Sequence, residues 1–361
     1  MTKGSDFRLT EFNSIMARPT LTLCPLFFLA ISSALTARLV AQVPGTWFEN
    51  LAIRPNGNIL LTTCYSPGAG LRELSAPGRN SSQLRSHPAP QSVNCLLGIT
   101  ETTPDVFVLA ASNVSFSAGG ERGAAALFAV DFNHGPDPQP ALIASLPDGV
   151  LLNGAASVPE NPHVVLVADS ILGQAWRVDT RTGDVSVGVR VPEMGADQTA
   201  GPATGINGLK IRGGYLWWTN SATATLYKIR LTPEGRAACG AEAERVAVLS
   251  ASVADDFVFG SGDGNVAWVA TNRDGRVFAV GPDGDGEPVV NDALVAGASA
   301  LGFGRTKLDA ETLYVTTVAG NVVAVDTAGV PGRKRPPVAH APCQASFRGY
   351  VTGDLDAGLA D

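Results

Sequence analysis

Short apolar runs alternate with turns along most of the chain, and residues 205–220 show one unit of this pattern. The unit opens with the polar pair Asn207-Gly208, continues as an alternating apolar run, and reverses at a Gly-Gly pair. Glycine tolerates the positive φ of tight turns, so this pair predicts a hairpin. The returning run is rich in aromatic and β-branched residues, and a third such run covers residues 225–231. The pattern therefore predicts a meander of short strands.

Five more stretches of the chain repeat this unit at intervals of about 44 to 59 residues. The polar residues that open the six units are Glu49, Asn94, Asn153, Asn207, Asp255 and Ser299. Strand meanders that recur about every 40–50 residues are typical of propeller blades, which need neighbours to bury their faces. We therefore predict an all-β fold, a six-bladed β-propeller with a central channel, over residues 45–327.

In a propeller the first strand of each blade lines the channel, so the residues that open the six units are predicted to point at the axis. The structural alternative for Asn153 and Asn207 is a turn role, since Asn-Gly is a common tight-turn pair. Glu49 and Asp255 are harder to explain in this way, because burying a carboxylate without a partner is costly. Three tryptophans are predicted to pack between blades: Trp217, Trp218 and Trp268.

Composition narrows the functional classes. The 40 glycines and a charged share of only 16% suit an all-β chain with many turns. A net charge of −7 without a basic stripe argues against a nucleic-acid partner. The sequence has no nucleophile elbow, phosphate loop or dinucleotide fingerprint, and its four histidines fall in predicted loops or the tail. Acids, amides, hydroxyls and aromatic residues are therefore the candidates for any site.

The N-terminus predicts export. Residues 21–34 form an apolar core preceded by Arg18 and followed by small residues, as in a secretory signal peptide. We assign residues 1–41 to a signal peptide and N-terminal extension, with Met16 as an alternative start. An uncleaved anchor is the alternative, but the apolar run is short for a membrane span and contains Pro25. The predicted mature protein is secreted and has no stable membrane span.

Secretion agrees with two other features. Asn80 and Asn113 open glycosylation sequons in predicted loops. The cysteines that remain after signal removal allow three disulfide pairings, with buried free thiols as the equal alternative: Cys64, Cys95, Cys239 and Cys343. Residues 328–361 are assigned to a C-terminal tail that either adds a closing strand or stays loose.

Several motifs together resemble the gluconolactonase and regucalcin-like six-bladed propellers. They include Asn153-Gly154, Asn207-Gly208 and the run at residues 299–304. In that family a Glu, two Asn and an Asp bind a divalent metal at the channel mouth. The resemblance implies that the metal ligands here are Glu49, Asn153, Asn207 and Asp255. Oxygen-only ligands suit Ca²⁺ or Mg²⁺, and such a site implies a metal-dependent lactonase or esterase.

Residues 47–57 and 298–305 resemble a narrower group, the fungal secreted propellers encoded beside secondary-metabolite genes. Some members are hetero-Diels–Alderases of tropolone–sesquiterpene biosynthesis. This resemblance implies an enzyme that joins a tropolone-derived quinone methide to a humulene-type sesquiterpene, with small terpenoid and aromatic substrates and no required cofactor. The alternatives are the metal-dependent lactonase and, third, a non-catalytic binding propeller.

In the cyclase interpretation the same two acids and two amides are the catalytic candidates. The predicted substrate-binding residues around them are Trp47, Phe48, Asn94, Phe257, Ser299 and Leu301. A cycloaddition needs mainly a shaped apolar pocket with a few polar groups at one end. The first-strand positions offer both kinds of residue.

Overall fold

The computed structural model describes Met1 and residues 35–65, 68–78, 82–115, 119–196, 204–260 and 266–328. Within this part of the chain the protein forms 26 strands: β1 Ala37–Gln42, β2 Trp47–Ile53, β3 Ile59–Cys64, β4 Gly70–Ser75, β5 Gln83–His87, β6 Cys95–Thr103, β7 Val106–Ser112, β8 Val114–Ser115, β9 Gly119–Gly120, β10 Ala125–Asp131, β11 Ala141–Leu146, β12 Leu152–Val158, β13 Asn161–Asp169, β14 Gln174–Asp179, β15 Val185–Val189, β16 Ile206–Arg212, β17 Tyr215–Asn220, β18 Thr225–Arg230, β19 Glu244–Val248, β20 Ala254–Phe259, β21 Ala267–Thr271, β22 Arg276–Val280, β23 Gly286–Asn291, β24 Ala298–Phe303, β25 Thr312–Thr317 and β26 Asn321–Asp326. Its helices are single 3-10 turns at Phe132–His134, Pro192–Met194 and Ala293–Val295. None of these described helices has the length and apolar character of a membrane span.

The strands form antiparallel sheets in which most neighbours are consecutive along the chain. Four sheets have four strands each: β12 to β15, β16 to β19, β20 to β23, and β24 to β26 with β1. An eight-stranded sheet holds β2 to β7 with β10 and β11, and its two halves meet at a single pair, Cys64 with Cys95. The predicted all-β propeller is confirmed. The predicted count of six blades is not confirmed, because the separate four-stranded sheets number four.

The first strands of the meanders surround a central channel. Each of β2, β6, β12, β16 and β20 contacts the next in this order, and β24 follows and contacts β2. These contacts close a ring of inner strands. Large side chains fill the spaces between adjacent sheets, and Trp218 and Trp268 are buried there with Trp217, as predicted. Burial of such aromatic surfaces is a main stabilising term for sheet packing.

The sheet that contains the C-terminal strands is completed by β1. Ala37 pairs with Val325 and Gln42 with Asn321, so an N-terminal strand covers the edge of β26. The sequence had placed residues 1–41 in an extension and had offered the tail for closure, but the structure starts the propeller at Ala37. The physical reason is that strand pairing joins residues far apart in sequence. Most of the tail and the apolar core of the predicted signal lie outside the described residues.

Every inner strand carries a β-bulge near its start, where the pairing with its neighbour shifts register. A bulge sets two residues against one and re-aims the extra side chain. The side chains at or beside these shifts are Glu49, Leu97, Asn153, Asn207, Asp255 and Ser299. The bulges therefore place equivalent residues of successive strands at one end of the channel.

Candidate active site

A cavity of about 210 Å³ opens at the end of the channel where the bulges lie. We call it the acid cavity, and its lining includes the four predicted site residues: Glu49, Asn153, Asn207 and Asp255. They come from four different inner strands and meet because each occupies the bulge of its own strand. The structure thus brings together four of the six residues that the repeat pattern singled out.

The acid cavity has two chemically different sides. Its apolar side is a buried cluster with two aromatic rings packed against it: Cys64, Leu97, Val114 and Leu151, with Trp47 and Tyr65. Its polar side consists mainly of three amides, a hydroxyl and a carboxyl: Asn153, Asn207, Asn272, Ser221 and Asp255. A hydrocarbon fits the first side, and an oxygen-bearing group fits the second.

Glu49 lies at the junction of the two sides and is only 7% exposed. Its Oε2 accepts a hydrogen bond from Trp47 Nε1 at 2.5 Å, and the Trp47 ring packs on Tyr65 with 5.2 Å between centroids. Burial raises the pKa of Glu49 from 4.5 to about 7, the Trp47 hydrogen bond opposes this rise, and the nearby Asp256 adds to it. A carboxyl with this pKa both gives and takes protons near neutral pH.

Asp255 is the second buried carboxyl. Burial raises its pKa well above 3.8, and the charge of Glu49 raises it further. Hydrogen bonds from Asn272, whose Nδ2 is 2.9 Å from Oδ2, and from Asn207 lower the pKa in part. Two like charges in one buried cavity are costly, so protonation of one carboxyl favours ionisation of the other. The pair is therefore suited to combined acid and base chemistry.

Each of the two amides is held by a serine that follows the second strand of its own sheet. Asn153 Nδ2 donates to Ser170 Oγ at 3.2 Å, and Asn207 Nδ2 donates to Ser221 Oγ at 3.0 Å. Asn207 Oδ1 is buried and has no hydrogen-bond partner within the described residues. Buried acceptors are nearly always satisfied, so this oxygen is available to a ligand.

The donor set also fits a hard cation. Two carboxylates and two amides offer only oxygen towards a metal, as Ca²⁺ and Mg²⁺ prefer, and the unpartnered Asn207 Oδ1 is one of these atoms. Among the described residues no group of three or more His, Cys, Asp and Glu side chains forms a metal site. A cation at this position would therefore depend on the amide oxygens as well as on the acids.

The prediction for Asn94 was wrong. This residue is exposed and binds β8: its Nδ2 donates to Val114 O at 2.9 Å, and its Oδ1 accepts from Val114 N at 2.8 Å. Leu97 lines the acid cavity instead, because the bulge of β6 lies between Leu96 and Gly98. The usable sequence signal was the glycine after Leu97, which matches Gly154 after Asn153.

Ser299 occupies the bulge of β24 but does not line the acid cavity. Its Oγ donates to Phe48 O at 2.7 Å and lies 3.1 Å from Thr316 Oγ1, and the residue is 1% exposed. The hydroxyl is thus used to join β24 to β2. Its predicted substrate contact is replaced by a structural one.

Of the other predicted wall residues, Trp47 alone lines the acid cavity. Phe48 and Phe257 are fully buried between sheets. Phe48 precedes Glu49, and successive side chains of a strand point to opposite faces. Phe257 follows the bulge at Asp255, which changes this alternation. Leu301 lies further along its strand and lines a second cavity, of about 480 Å³, at the opposite end of the channel.

Sequence reasoning missed the residues that follow the second strands. Ser170, Ser221 and Asn272 occupy this equivalent place after β13, β17 and β21, and each binds the bulge residue of its own sheet. The signal was a small polar residue directly after each of these three second strands. Arg273, also unpredicted, lies at the exposed rim and has a positive φ of 82°, which is unfavourable for a side chain with a Cβ.

Of the cysteine pairs left open by the sequence, the described residues contain one, Cys64 with Cys95. Cys64 and Cys95 form a disulfide in the apolar wall, whereas Cys239 is an exposed free thiol. Cys343 and the Asn80 sequon lie outside the described residues. Asn113 lies between β7 and β8, where its Oδ1 accepts from Asn94 N at 3.0 Å, and its glycosylation stays a prediction.

Comparison with known proteins agrees with this architecture. No family model matches the chain. Two solved structures, titled "putative gluconolactonase" and "calcium-binding protein, regucalcin" from Agrobacterium tumefaciens, both align with a TM-score of 0.56 over 81% of this chain. The alignments cover 92% and 95% of the two solved chains, at sequence identities to this chain of 18% and 17%. The chain therefore has the propeller fold of gluconolactonase- and regucalcin-like proteins.

Two relatives share more sequence, and both are named "Putative hetero-Diels-Alderase". The one from Phoma sp is 31% identical over 316 residues, which cover 80% of this chain and 87% of the relative. The other, asR5 from Sarocladium schorii, is 29% identical over 349 residues, which cover 83% and 86%. The chain belongs to the same protein family as the Phoma protein.

Proposed function

We propose that the protein is a hetero-Diels–Alderase that joins a tropolone-derived quinone methide to a humulene-type sesquiterpene. The observation that carries the proposal is the acid cavity, in which two buried carboxyls face an apolar wall. The names of the two relatives support the reaction type. The choice of tropolone and humulene partners follows the resemblance of residues 47–57 and 298–305.

The cavity addresses the main barrier of a cycloaddition. Aligning two partners in one geometry can remove on the order of 7–11 kcal/mol of the barrier, because the partners lose their translational and rotational entropy when they bind and not during the reaction. The apolar side, with Leu97, Val114 and Leu151, would hold the hydrocarbon ring. The polar side would hold the oxygen-bearing ring against it.

The two carboxyls supply the chemistry that precedes cycloaddition. A ring that carries a hydroxymethyl group beside a hydroxyl becomes a quinone methide by losing one water. One carboxyl donates a proton to the departing hydroxyl as the C–O bond breaks, and the other, as carboxylate, takes the proton of the ring hydroxyl. Glu49, with a pKa of about 7, and Asp255 are suited to these two roles. The following cycloaddition forms one C–O and one C–C bond without net proton transfer.

Exclusion of water protects the intermediate, because water adds back to a quinone methide. The lower part of the cavity is buried: Glu49, Asn153 and Asp255 are 6–7% exposed. Forming the quinone methide beside the bound alkene therefore favours capture by the alkene over hydration.

The experiment is incubation of purified protein with a tropolone alcohol precursor and humulene. Yield and stereochemistry of the adduct are compared with an enzyme-free control and with the Glu49→Gln and Asp255→Asn variants. With wild type we expect adduct formation faster than in the control and one stereoisomer in excess. In each variant the rate of adduct formation should fall at least about tenfold, since general acid–base groups contribute about 10²–10⁴-fold to the rate. An adduct identical in yield and stereochemistry to the enzyme-free control rules out the cyclase.

The second candidate is a metal-dependent lactonase, which the unpartnered Asn207 Oδ1 favours. Glu49, Asn153, Asn207 and Asp255 would hold Ca²⁺ or Mg²⁺. A bound cation of this kind supplies Lewis-acid polarisation of a carbonyl. Lactone hydrolysis that disappears on chelation, returns with added metal and is lost in Asp255→Asn would favour the lactonase. If the protein binds these ligands but catalyses neither cycloaddition nor lactone hydrolysis, the result would favour a non-catalytic binding propeller.

The proposal also includes six blades. The eight-stranded sheet would count as two blades that are joined at the Cys64–Cys95 pair. The closed ring of six inner strands, each with its own bulge, supports this count. An experimental structure in which β3 and β6 pair along their whole length would contradict it.

Export to the secretory pathway belongs to the same proposal. Disulfides persist in oxidising compartments, so the Cys64–Cys95 bridge supports secretion. Glycosylation at Asn80 and Asn113 would follow. Mass spectrometry of the protein from its natural secretion medium, before and after deglycosylation, tests both statements.

A further inference from the structure

We propose that Ser170 and Ser221 fix the amides of Asn153 and Asn207 with both carbonyl oxygens towards the acid cavity, so that the site selects ligands that donate hydroxyl hydrogens. The serines are positioning residues that act through the asparagines. The proposal rests on the proposed function in taking the hydroxylated aromatic ring as the ligand.

The first step concerns Ser170. Its Oγ lies 2.6 Å from the backbone oxygen of Ile206, which is only an acceptor, so the single hydroxyl proton of Ser170 is used there. Towards Asn153, at 3.2 Å, the same Oγ acts only as an acceptor. The NH₂ group of Asn153 must therefore face Ser170, and its Oδ1 faces the other way.

The next sheet repeats this arrangement. Ser221 Oγ donates to the backbone oxygen of Ala254 at 3.0 Å and accepts from Asn207 Nδ2 at 3.0 Å. Ile206 and Ala254 are the first residues of β16 and β20, so each serine reaches from its own sheet to the next inner strand. Both amide orientations are thus set by the backbone of neighbouring sheets, which a bound ligand does not move.

Asn207 shows what these orientations leave unsatisfied. Its Oδ1 is buried without a hydrogen-bond partner in the described part of the chain, and the whole residue is only 8% exposed. Its NH₂ group is used by Ser221 and by the Asp255 carboxyl. The cavity therefore lacks a donor at this position, and a ligand hydroxyl supplies one.

The consequence is a choice between related ligands. A ring hydroxyl donates to a fixed amide oxygen, but the corresponding methyl ether has no proton to donate and leaves the buried acceptor unpaired. Sites built to hydrogen-bond a substrate hydroxyl discriminate strongly against analogues that lack it. An amide turned by 180° would offer NH₂ instead and would accept the ether, so loss of the serine hydroxyl weakens the discrimination.

Isothermal titration calorimetry with tropolone and with its methyl ether, 2-methoxytropone, tests this. We expect wild type to bind tropolone about tenfold more tightly than the ether. Ser170→Ala and Ser221→Ala should lower this ratio about threefold or more, whereas Ser170→Thr and Ser221→Thr, which keep the hydroxyl, should retain it. The matched control is Ser112→Ala, because the Ser112 hydroxyl is buried and accepts from a backbone group, Leu152 N, and not from either site amide.

Equal binding of the two probes by wild type overturns the inference, and so does an unchanged ratio in folded alanine variants. Circular dichroism shows whether each variant is folded. If the alanine variants do not fold, the threonine variants decide: loss of the preference for tropolone over its methyl ether in both of them overturns the inference. The cycloaddition assay is scored separately. Adduct formation without hydroxyl discrimination contradicts only this inference, whereas serine-dependent discrimination without adduct contradicts only the cyclase.

Discussion

At the scale of single residues, the acid cavity is defined by groups whose burial opposes their charge. Glu49 and Asp255 are each less than 8% exposed, and burial raises the pKa of both. The charge of Glu49 raises the pKa of Asp255 further, and the charge of Asp256 does the same for Glu49. Such sites reduce stability where both groups carry charge and are typical of functional positions. Glu49 is the better group for a measurement, because its pKa is raised to about 7, which lies inside the range where folded proteins can be titrated.

We predict that Glu49→Gln changes the pH dependence of stability. The folded pKa of Glu49, about 7, lies above its ordinary value of 4.5, so its contribution is fully present below pH 4.5 and is lost as pH rises through 7. The loss amounts to about 3 kcal/mol at 1.36 kcal/mol per pH unit. Glutamine stays neutral, so the variant should match wild type near pH 4 and be more stable by up to that amount at pH 8.

Urea unfolding at several pH values between 4 and 8 measures this difference. Glu287→Gln is the matched control, since Glu287 is an exposed strand residue and its replacement should leave the profile unchanged. If the Glu49→Gln and wild-type curves run parallel from pH 4 to 8, Glu49 is not the buried acid described above.

At the scale of elements, two strands that belong to different meanders are tied together beside the cavity. The disulfide joins the last residue of β3 to the first residue of β6. Cys64 lines the apolar side of the acid cavity, and Cys95 packs in the same buried cluster. Tyr65, directly after the bridge, has a positive φ of 61° and packs on Trp47, which binds Glu49. The bridge thus supports both the sheet and the residue next to the acid.

We predict that the double variant Cys64→Ser/Cys95→Ser is destabilised by about 3–4 kcal/mol, because a bridge across 31 residues restricts the unfolded chain. Denaturant unfolding measures the change. Cys239→Ser is the control, since its thiol is exposed and free, and it should unfold with wild type. A double variant as stable as the control would show that the bridge does not restrict the chain.

At the scale of the whole molecule, the N-terminal strand closes the ring. β1 covers the edge of β26 from Ala37 to Gln42, and Gln42 Nε2 donates to Asn321 Oδ1 at 3.0 Å. An uncovered β26 would expose unpaired backbone groups, which favour aggregation. If the predicted signal peptide is removed, cleavage at Ala41 would therefore delete most of β1 and uncover β26.

We predict that the mature protein starts at or before Ala37. N-terminal sequencing of the secreted protein measures the start. Chains that begin at residues 37 and 43 provide the matched pair: the first should keep the melting temperature of the mature protein, and the second should melt several degrees lower and aggregate. A natural start after Ala41 with an unchanged melting temperature contradicts this role of β1.

Local sequence patterns were enough to predict the all-β propeller and four residues of the acid cavity. Alternation of side chains, turn glycines and a polar residue near the start of most inner strands are local features that recur from repeat to repeat. The repeat register was therefore sufficient for Glu49, Asn153, Asn207 and Asp255, whose strands all carry the bulge where the pattern predicted a polar start.

The residues that complete the site and the ring could be identified only after the strands were packed together. Leu97 replaced Asn94 because the bulge of β6 depends on pairing with β7, and Ser170 and Ser221 gained their roles from carbonyls of the next sheet. Closure by β1 and the Cys64–Cys95 pairing likewise join segments distant in sequence. Such long-range contacts produce no repeating pattern in the sequence, because the partner residues meet only when the sheets pack around the channel.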